Sequence, residues 1–368
     1  MNRFTLFPVV YLVATVLAAE GQVSGEATRK SVEQALPFLE HHGESWMAER
    51  GCVSCHQTAF LIWTHQEAAR RGFSANRRKT REWTTWALLK VISGEDGSTP
   101  QAADTLAQVL LSRDPWSPLT AKPRLGARTV DPYENVLKFL LREQKPDGKW
   151  VAGGQSENPP DIPTGWALMA LQSRDQLMKS ADENLNPAKN VNGGLVTLIK
   201  TNDEALAKGR ELALEWFKSV DPAAAELNEQ TIVALLVENM YGAPAKTAQR
   251  VAELLARQNA DGGWSARLGE GRASDAFATG QSLFALSRSG TAPDDPAIGR
   301  ALRYLIAAQQ VDGSWLVPTA AIHEPSGKTD RNARTDSVYQ FWGTAWATLG
   351  LLQTLPETVA ETAPSDLP

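Results

Sequence analysis

A seven-residue pattern recurs three times in this chain and restricts its fold more than any bulk property does. It reads Gln-x-x-Asp-Gly-x-Trp, from Gln144 to Trp150, Gln258 to Trp264 and Gln309 to Trp315. The Asp-Gly step supplies a tight turn, because glycine tolerates positive φ. A Gln amide near a helix end can satisfy orphan backbone groups, and a Trp face can pack over it. Each copy follows an amphipathic run: YENVLKFLLRE, TAQRVAELLAR and IGRALRYLIAA. Apolar residues recur there at three- and four-residue steps, the spacing of a helix with one wet face. After a loop, each copy is followed by a run that opens with Thr and is apolar nearly all round: TGWALMAL, TGQSLFAL and TAWATLGL. Runs of that kind predict buried helices.

Three weaker copies keep the helix pair and lack the turn. Thr58 opens TAFLIWTH, Thr105 opens TLAQVLL and Thr231 opens TIVALLVE, each after an amphipathic run. The six Thr anchors, at 58, 105, 164, 231, 279 and 344, lie 47, 59, 67, 48 and 65 residues apart. A length of 368 residues suggests about two domains by itself. The repeat predicts instead one all-α unit over residues 28–356, an (α/α)6 toroid of six helical hairpins with an outer and an inner layer. Residues 357–368 read as a disordered tail.

The three strong copies resemble the QW motifs of squalene–hopene cyclases and the related prenyltransferase/squalene-oxidase repeats. The resemblance implies an (α/α)6 toroid with a central cavity, in which the QW elements are structural. It does not carry the chemistry across. The D-x-D-D segment that holds the protonating acid of the cyclases is absent. The nearest acid pair, Asp294-Asp295, is flanked by prolines and reads as a turn and N-cap. A D-D-x-x-D signature and a C-G-E-Q segment are missing too, and the cysteines are not placed for a prenyltransferase zinc site. Asp161 and Asp275 lie just before inner helices, as rim acids or as helix caps. Trp166, Phe284 and Trp346 either line a cavity or pack as core.

Residues 1–19, MNRFTLFPVVYLVATVLAA, read as a signal peptide: Arg3, then an apolar stretch, then small residues at Ala18 and Ala19. The expected location is periplasmic or secreted, with no membrane span after cleavage. A net charge of −5 argues against nucleic acid as a partner.

Both cysteines of the protein fall in Cys52-Val-Ser-Cys55-His56. C-x-x-C-H reads as a c-type haem attachment site. Two thiols add to the two vinyl groups of one porphyrin, and the next residue offers its imidazole to the iron. A redox dithiol would prefer a thioredoxin-like βαβ setting. A zinc site needs a further ligand, for which only His41, His42 and His65 are near. A plain disulfide leaves His56 unexplained. The pentapeptide occupies the slot that the Gln-x-x-Asp-Gly-x-Trp turn fills in other hairpins. In a closed ring, hairpin six lies beside hairpin one, and its long loop carries His323, a candidate for the second axial position on the iron. His65 follows His56 on one predicted helix, so the two cannot face each other across one iron. Met47, His41 and His42 are further candidates. The chain thus reads as an exported, covalent haem c protein with an electron-transfer or haem-dependent redox role. It would work with a redox partner protein and, in the ring cavity, an apolar small molecule. The alternatives are a non-haem toroid acting as a binding or scaffold module and a divergent terpene cyclase without the acid motif.

Overall fold

The computed structural model describes residues 23–51, 53, 57–93, 102–113, 132–153, 158–184, 203–317 and 329–358; of 177–184, 203 and 329–335 only the backbone is described. Within them the chain forms twelve α-helices. These are α1 (Gly25–Arg50), α2 (Thr58–Arg70), α3 (Arg77–Ser93), α4 (Ala103–Leu111), α5 (Pro132–Arg142) and α6 (Asp161–Asn184), then α7 (Asp203–Lys218), α8 (Asn228–Tyr241), α9 (Pro244–Ala256), α10 (Ala276–Arg288), α11 (Pro296–Ala308) and α12 (Thr329–Gln353). Among the described residues there is no strand, only two isolated antiparallel bridges. The even-numbered helices are the apolar runs and form the inner ring. Each packs on the next, from α2 through α4, α6, α8 and α10 to α12, and α12 packs back on α2. Outer helix α1 lies against both α12 and α2, across the seam. The expected toroid of six hairpins is the observed one.

The repeated turn explains how the hairpins are joined. In each copy the Trp indole donates to a carbonyl in the last turn of the preceding outer helix: Trp150 to Leu140 at 2.7 Å, Trp264 to Leu254 at 2.8 Å, Trp315 to Leu305 at 2.7 Å. Those carbonyls are among the groups a helix end leaves unpaired. The Trp backbone N–H donates to the Thr anchor of the following inner helix, Thr164, Thr279 or Thr344, at 2.9–3.0 Å. The Gln amide closes its own turn and reaches the next hairpin. Gln144 donates to Gly148 and to Gly209 on α7, and Gln258 to Gly262 and to Ala297 on α11. Gln309 does the same across the seam: it donates to Gly313 and to Ser31 of α1, each at 2.9 Å, and accepts from the Ser31 hydroxyl at 2.7 Å. Hairpin six is thereby locked to hairpin one, and the ring is closed.

Two details of the ends differ from expectation or exceed it. Residues 1–22 and 359–368, which hold the signal-peptide reading and most of the tail, lie outside the described residues. Thr358, assigned to the tail, is instead tied to the ring: its N–H and hydroxyl both donate to the Arg70 carbonyl, at 3.0 and 2.9 Å. Helix α12 starts 15 residues before its Thr344 anchor (344 − 329), whereas the other inner helices start within three residues of theirs. At 1.5 Å per residue its first part stands about 22 Å above the rim at the N-terminal end of the inner barrel.

Candidate functional site

The Cys-x-x-Cys-His pentapeptide joins α1 to α2 and therefore belongs to the rim at the N-terminal end of the inner barrel. Cys52, Cys55, His56 and His323 themselves lie outside the described residues. Their flanks are described. Gly51 ends α1 in the left-handed conformation, φ 67°. Val53 is buried. Gln57 precedes α2 without making a side-chain cap, and its Oε1 and the Thr58 Oγ1 are buried with no hydrogen-bond partner. Two unsatisfied buried oxygens next to His56 cost free energy unless a polar group meets them. The rim beside them is aromatic: Phe60 on α2 faces Trp342 on α12, with Phe277 4.6 Å from Trp342 and Tyr339 5.9 Å from it. These rings are themselves buried, at most 5% exposed, and pack on one another beside the two unmet oxygens.

The other candidate ligands are accounted for. His65 is buried against Trp83, its Nδ1–H donating to the Leu61 carbonyl at 2.9 Å and its Nε2 lying 3.9 Å from Glu40. Burial lowers its pKa, so it is a neutral core histidine. His41 and His42 are exposed on the outer helix, and Met47 packs partly into the core. Among the described residues no group of three or more His, Cys, Asp or Glu is placed to hold a metal ion.

The inner aromatics resolve toward packing. Trp63 on α2 touches Trp166 on α6 and Phe284 on α10, helices that are not neighbours in the ring. Trp346 on α12 joins all three, with centroids 5.3–5.7 Å apart. All four are at most 6% exposed. Contacts between non-adjacent inner helices put these rings on the axis, which is filled at that level. Of the two readings of Trp166, Phe284 and Trp346, lining a cavity or packing as core, the geometry favours core: edge-to-face packing gains more than exposing those faces to a void.

Sequence reasoning singled out Asp161 and Asp275 and missed Glu229 and Asp104. All four sit in or beside the first turns of inner helices. Asp275 is the N-cap of α10 and accepts from the Ala278 and Ala266 amides, both at 2.7 Å; burial nevertheless pushes its pKa up to about 6. Asp161 accepts from Gln230 at 2.8 Å. Glu229 accepts from the Trp166 indole at 2.8 Å. Burial pushes it to about 7, with Asp104 and Asp161 adding repulsion. Gln281 lies close enough to favour the ionised form, but neither atom of its amide completes a hydrogen bond of ordinary geometry. Asp104 is also raised by burial, to about 6. The signal for these acids was their position within two residues of the Thr anchors at 105 and 231.

These raised values set a sign for stability against pH. Each acid favours the folded state in its neutral form, so the contribution of Glu229 is complete below its unfolded pKa of 4.5 and disappears as pH rises through about 7. Glu229→Gln mimics the neutral form. At pH 8 it is expected to be about 3 kcal/mol more stable than the parent, with a difference of about 1 kcal/mol or less at pH 5. Urea midpoints at the two pH values measure this, and an equal offset at both would refute it.

The sequence matches the family described as squalene-hopene cyclase C-terminal domain over residues 164–363, more than half of the chain. The chain belongs to that family. Two solved structures agree on the fold. A glycosidase in complex with glucose superposes with a TM-score of 0.54 at 12% identity, over 91% of this chain and 100% of that one. A possible member of the GH105 family from Salmonella enterica gives 0.54 at 12% identity, over 95% of this chain and 99% of that one. The type II terpene cyclase MstE from Scytonema gives 0.46 at 13% identity, over 91% and 99%. Comparison with curated proteins finds no match. Among the described residues no helix is long and apolar enough to cross a membrane.

Proposed function

We propose that this member of the cyclase family is an exported c-type haem protein that passes electrons at the rim of its toroid. The observation that carries the reading is the placement of the only two cysteines in one Cys-x-x-Cys-His segment, in the slot where an inner helix begins. Cys52 and Cys55 hold the porphyrin through thioether bonds and His56 ligates the iron. The buried, unpartnered oxygens of Gln57 and Thr58 and the aromatic rim of Phe60, Trp342 and Tyr339 support it. A bound haem supplies a one-electron iron couple. Cys52, Cys55 and His56 would hold it at the rim, for exchange with a redox partner protein. His323 would be a second residue to hold the iron, because α12, which follows it in sequence, packs beside α2.

A divergent cyclase has less support. Glu229 is an acid whose pKa burial raises to about 7, but the rings that would line a substrate cavity occupy the axis. The proposed location is periplasmic or secreted, where haem attachment takes place outside the cytoplasm.

The test is expression of the full chain in a host with haem-maturation machinery, followed by a reduced pyridine haemochrome spectrum of the purified protein. A covalent haem band is the expected result. A folded protein without it overturns the reading and leaves a toroid that binds or scaffolds without haem. In the haem-loaded protein, His323→Ala is expected to convert a low-spin spectrum toward high spin; an unchanged spectrum removes His323 as a ligand.

A further inference from the structure

The opposite end of the inner barrel, where α2, α10 and α12 finish, carries a concentration of guanidinium groups that the toroid does not need. Glu67 in the last turn of α2 is the one fully buried acid there, with its side chain 4% exposed. Its carboxylate pairs with Arg70 and with Arg71, both at 2.5 Å, and accepts from Gln353 of α12 at 3.2 Å. Burial raises the pKa of Glu67, but Arg70, Arg71 and Arg288 more than offset it, and the net shift is downward. Arg288, at the end of α10, is therefore close to the same group. Arg29 joins the edge by donating to the Arg71 carbonyl at 3.0 Å.

Three observations separate this cluster from ordinary helix-end charge compensation. First, the cations outnumber the acids. Among the described residues, Arg29, Arg70, Arg71 and Arg288 against Glu67 and Glu357 leave two positive charges (4 − 2), and Glu357 is 65% exposed and 3.7 Å from Arg71. Second, the Nε atoms of Arg70 and Arg71 are buried with no acceptor, in side chains 20% and 3% exposed. A buried N–H without an acceptor costs free energy. Third, Arg288 makes neither a hydrogen bond nor an ion pair among the described residues through its guanidinium, which lies over the Phe284 ring at 5.5 Å. It does not cap its helix either. The carbonyls of Ala285, Leu286 and Ser287 are taken by the amides of Ser289, Gly290 and Thr291, and its own carbonyl accepts from Asn239. Arg288 is exposed to solvent at the edge of this mouth.

We propose that this mouth is an oxyanion-binding site, built by Arg70, Arg71 and Arg288, for phosphate or the phosphate group of a small molecule. Guanidinium forks bind oxyanions through paired N–H donors. Two uncompensated positive charges match a group that carries about −1.5 to −2 at neutral pH, as phosphate does, better than a single carboxylate. The site lies at the end of the barrel opposite the Cys-x-x-Cys-His rim and is independent of haem.

The test is calorimetric titration of the full chain with inorganic phosphate and, separately, with glycerol 3-phosphate, at ionic strength held constant with sodium chloride. Saturable binding of either is expected, with Arg288→Gln weakening it tenfold or more. Phosphate alone identifies the free ion as the ligand, and tighter binding of the ester identifies a phosphorylated metabolite. Arg288→Lys keeps the charge and the stem over Phe284 and is expected to bind between the two; it serves also if R288Q does not fold. Absence of saturable binding, or parental affinity in both variants, overturns the proposal.

Discussion

An alanine at position 313 is expected to destabilise the protein by about 3 kcal/mol or more, where alanine at position 290 costs about 1 kcal/mol. The two glycines share one backbone conformation, φ 86°. They differ in what surrounds them. A Cβ at Gly290 meets nothing within 4 Å, so only the left-handed conformation is penalised. A Cβ at Gly313 collides with the backbone carbonyl of Gln34 on α1. Gly313 belongs to the turn whose Gln309 bonds to Ser31 across the seam. Separating the turn from α1 to relieve the collision breaks both of those hydrogen bonds and loosens the packing of Trp315, which is 0% exposed. Urea unfolding of the two variants measures the difference. Equal losses would show that the seam yields without cost and that ring closure does not depend on the close approach.

The second large effect concerns the cysteines. In a maturation-competent host, the Cys52→Ser, Cys55→Ser double variant is expected to lose all covalent haem while keeping its helical content. Attachment adds each S–H across a vinyl C=C, the sulfur bonding to one carbon and the proton going to the other, so no oxidant is consumed. A hydroxyl does not replace the thiol in that addition. Each single Ser variant leaves one vinyl group unreacted and conjugated with the macrocycle, so its α band is expected to move to longer wavelength. Haem that remains attached after acid–acetone extraction of the double variant would rule out the thioether assignment. The toroid should survive the change, because the six-hairpin ring is closed elsewhere, by Gln309 and Ser31.

Helix identity was legible in the residues because it is local. The three- and four-residue apolar steps, the Thr openings and the Asp-Gly turns each act within one or two helical turns. Six repetitions of such local signals are enough to specify six hairpins, and the ring follows because each apolar inner helix can be covered only by its neighbours. The role of the Gln in the repeat was half legible. Its capping of its own turn is a short-range matter, whereas its bond to the next hairpin spans 65 residues for Gln144 and 278 for Gln309.

What the chain of residues determined alone is therefore the fold class, the hairpin count and the membership implied by the repeat, all of which rest on neighbours in sequence. Tertiary structure decided what distant residues do to one another. It filled the axis with Trp63, Trp166, Phe284 and Trp346 from four helices. It turned Glu229, unremarkable in the sequence, into an acid with a raised pKa by burying it against Trp166, 63 residues away. It also gathered Arg70, Arg71 and Arg288 at one mouth. Burial and electrostatic proximity depend on which side chains share a volume, and a residue's own neighbours along the chain do not contain that information.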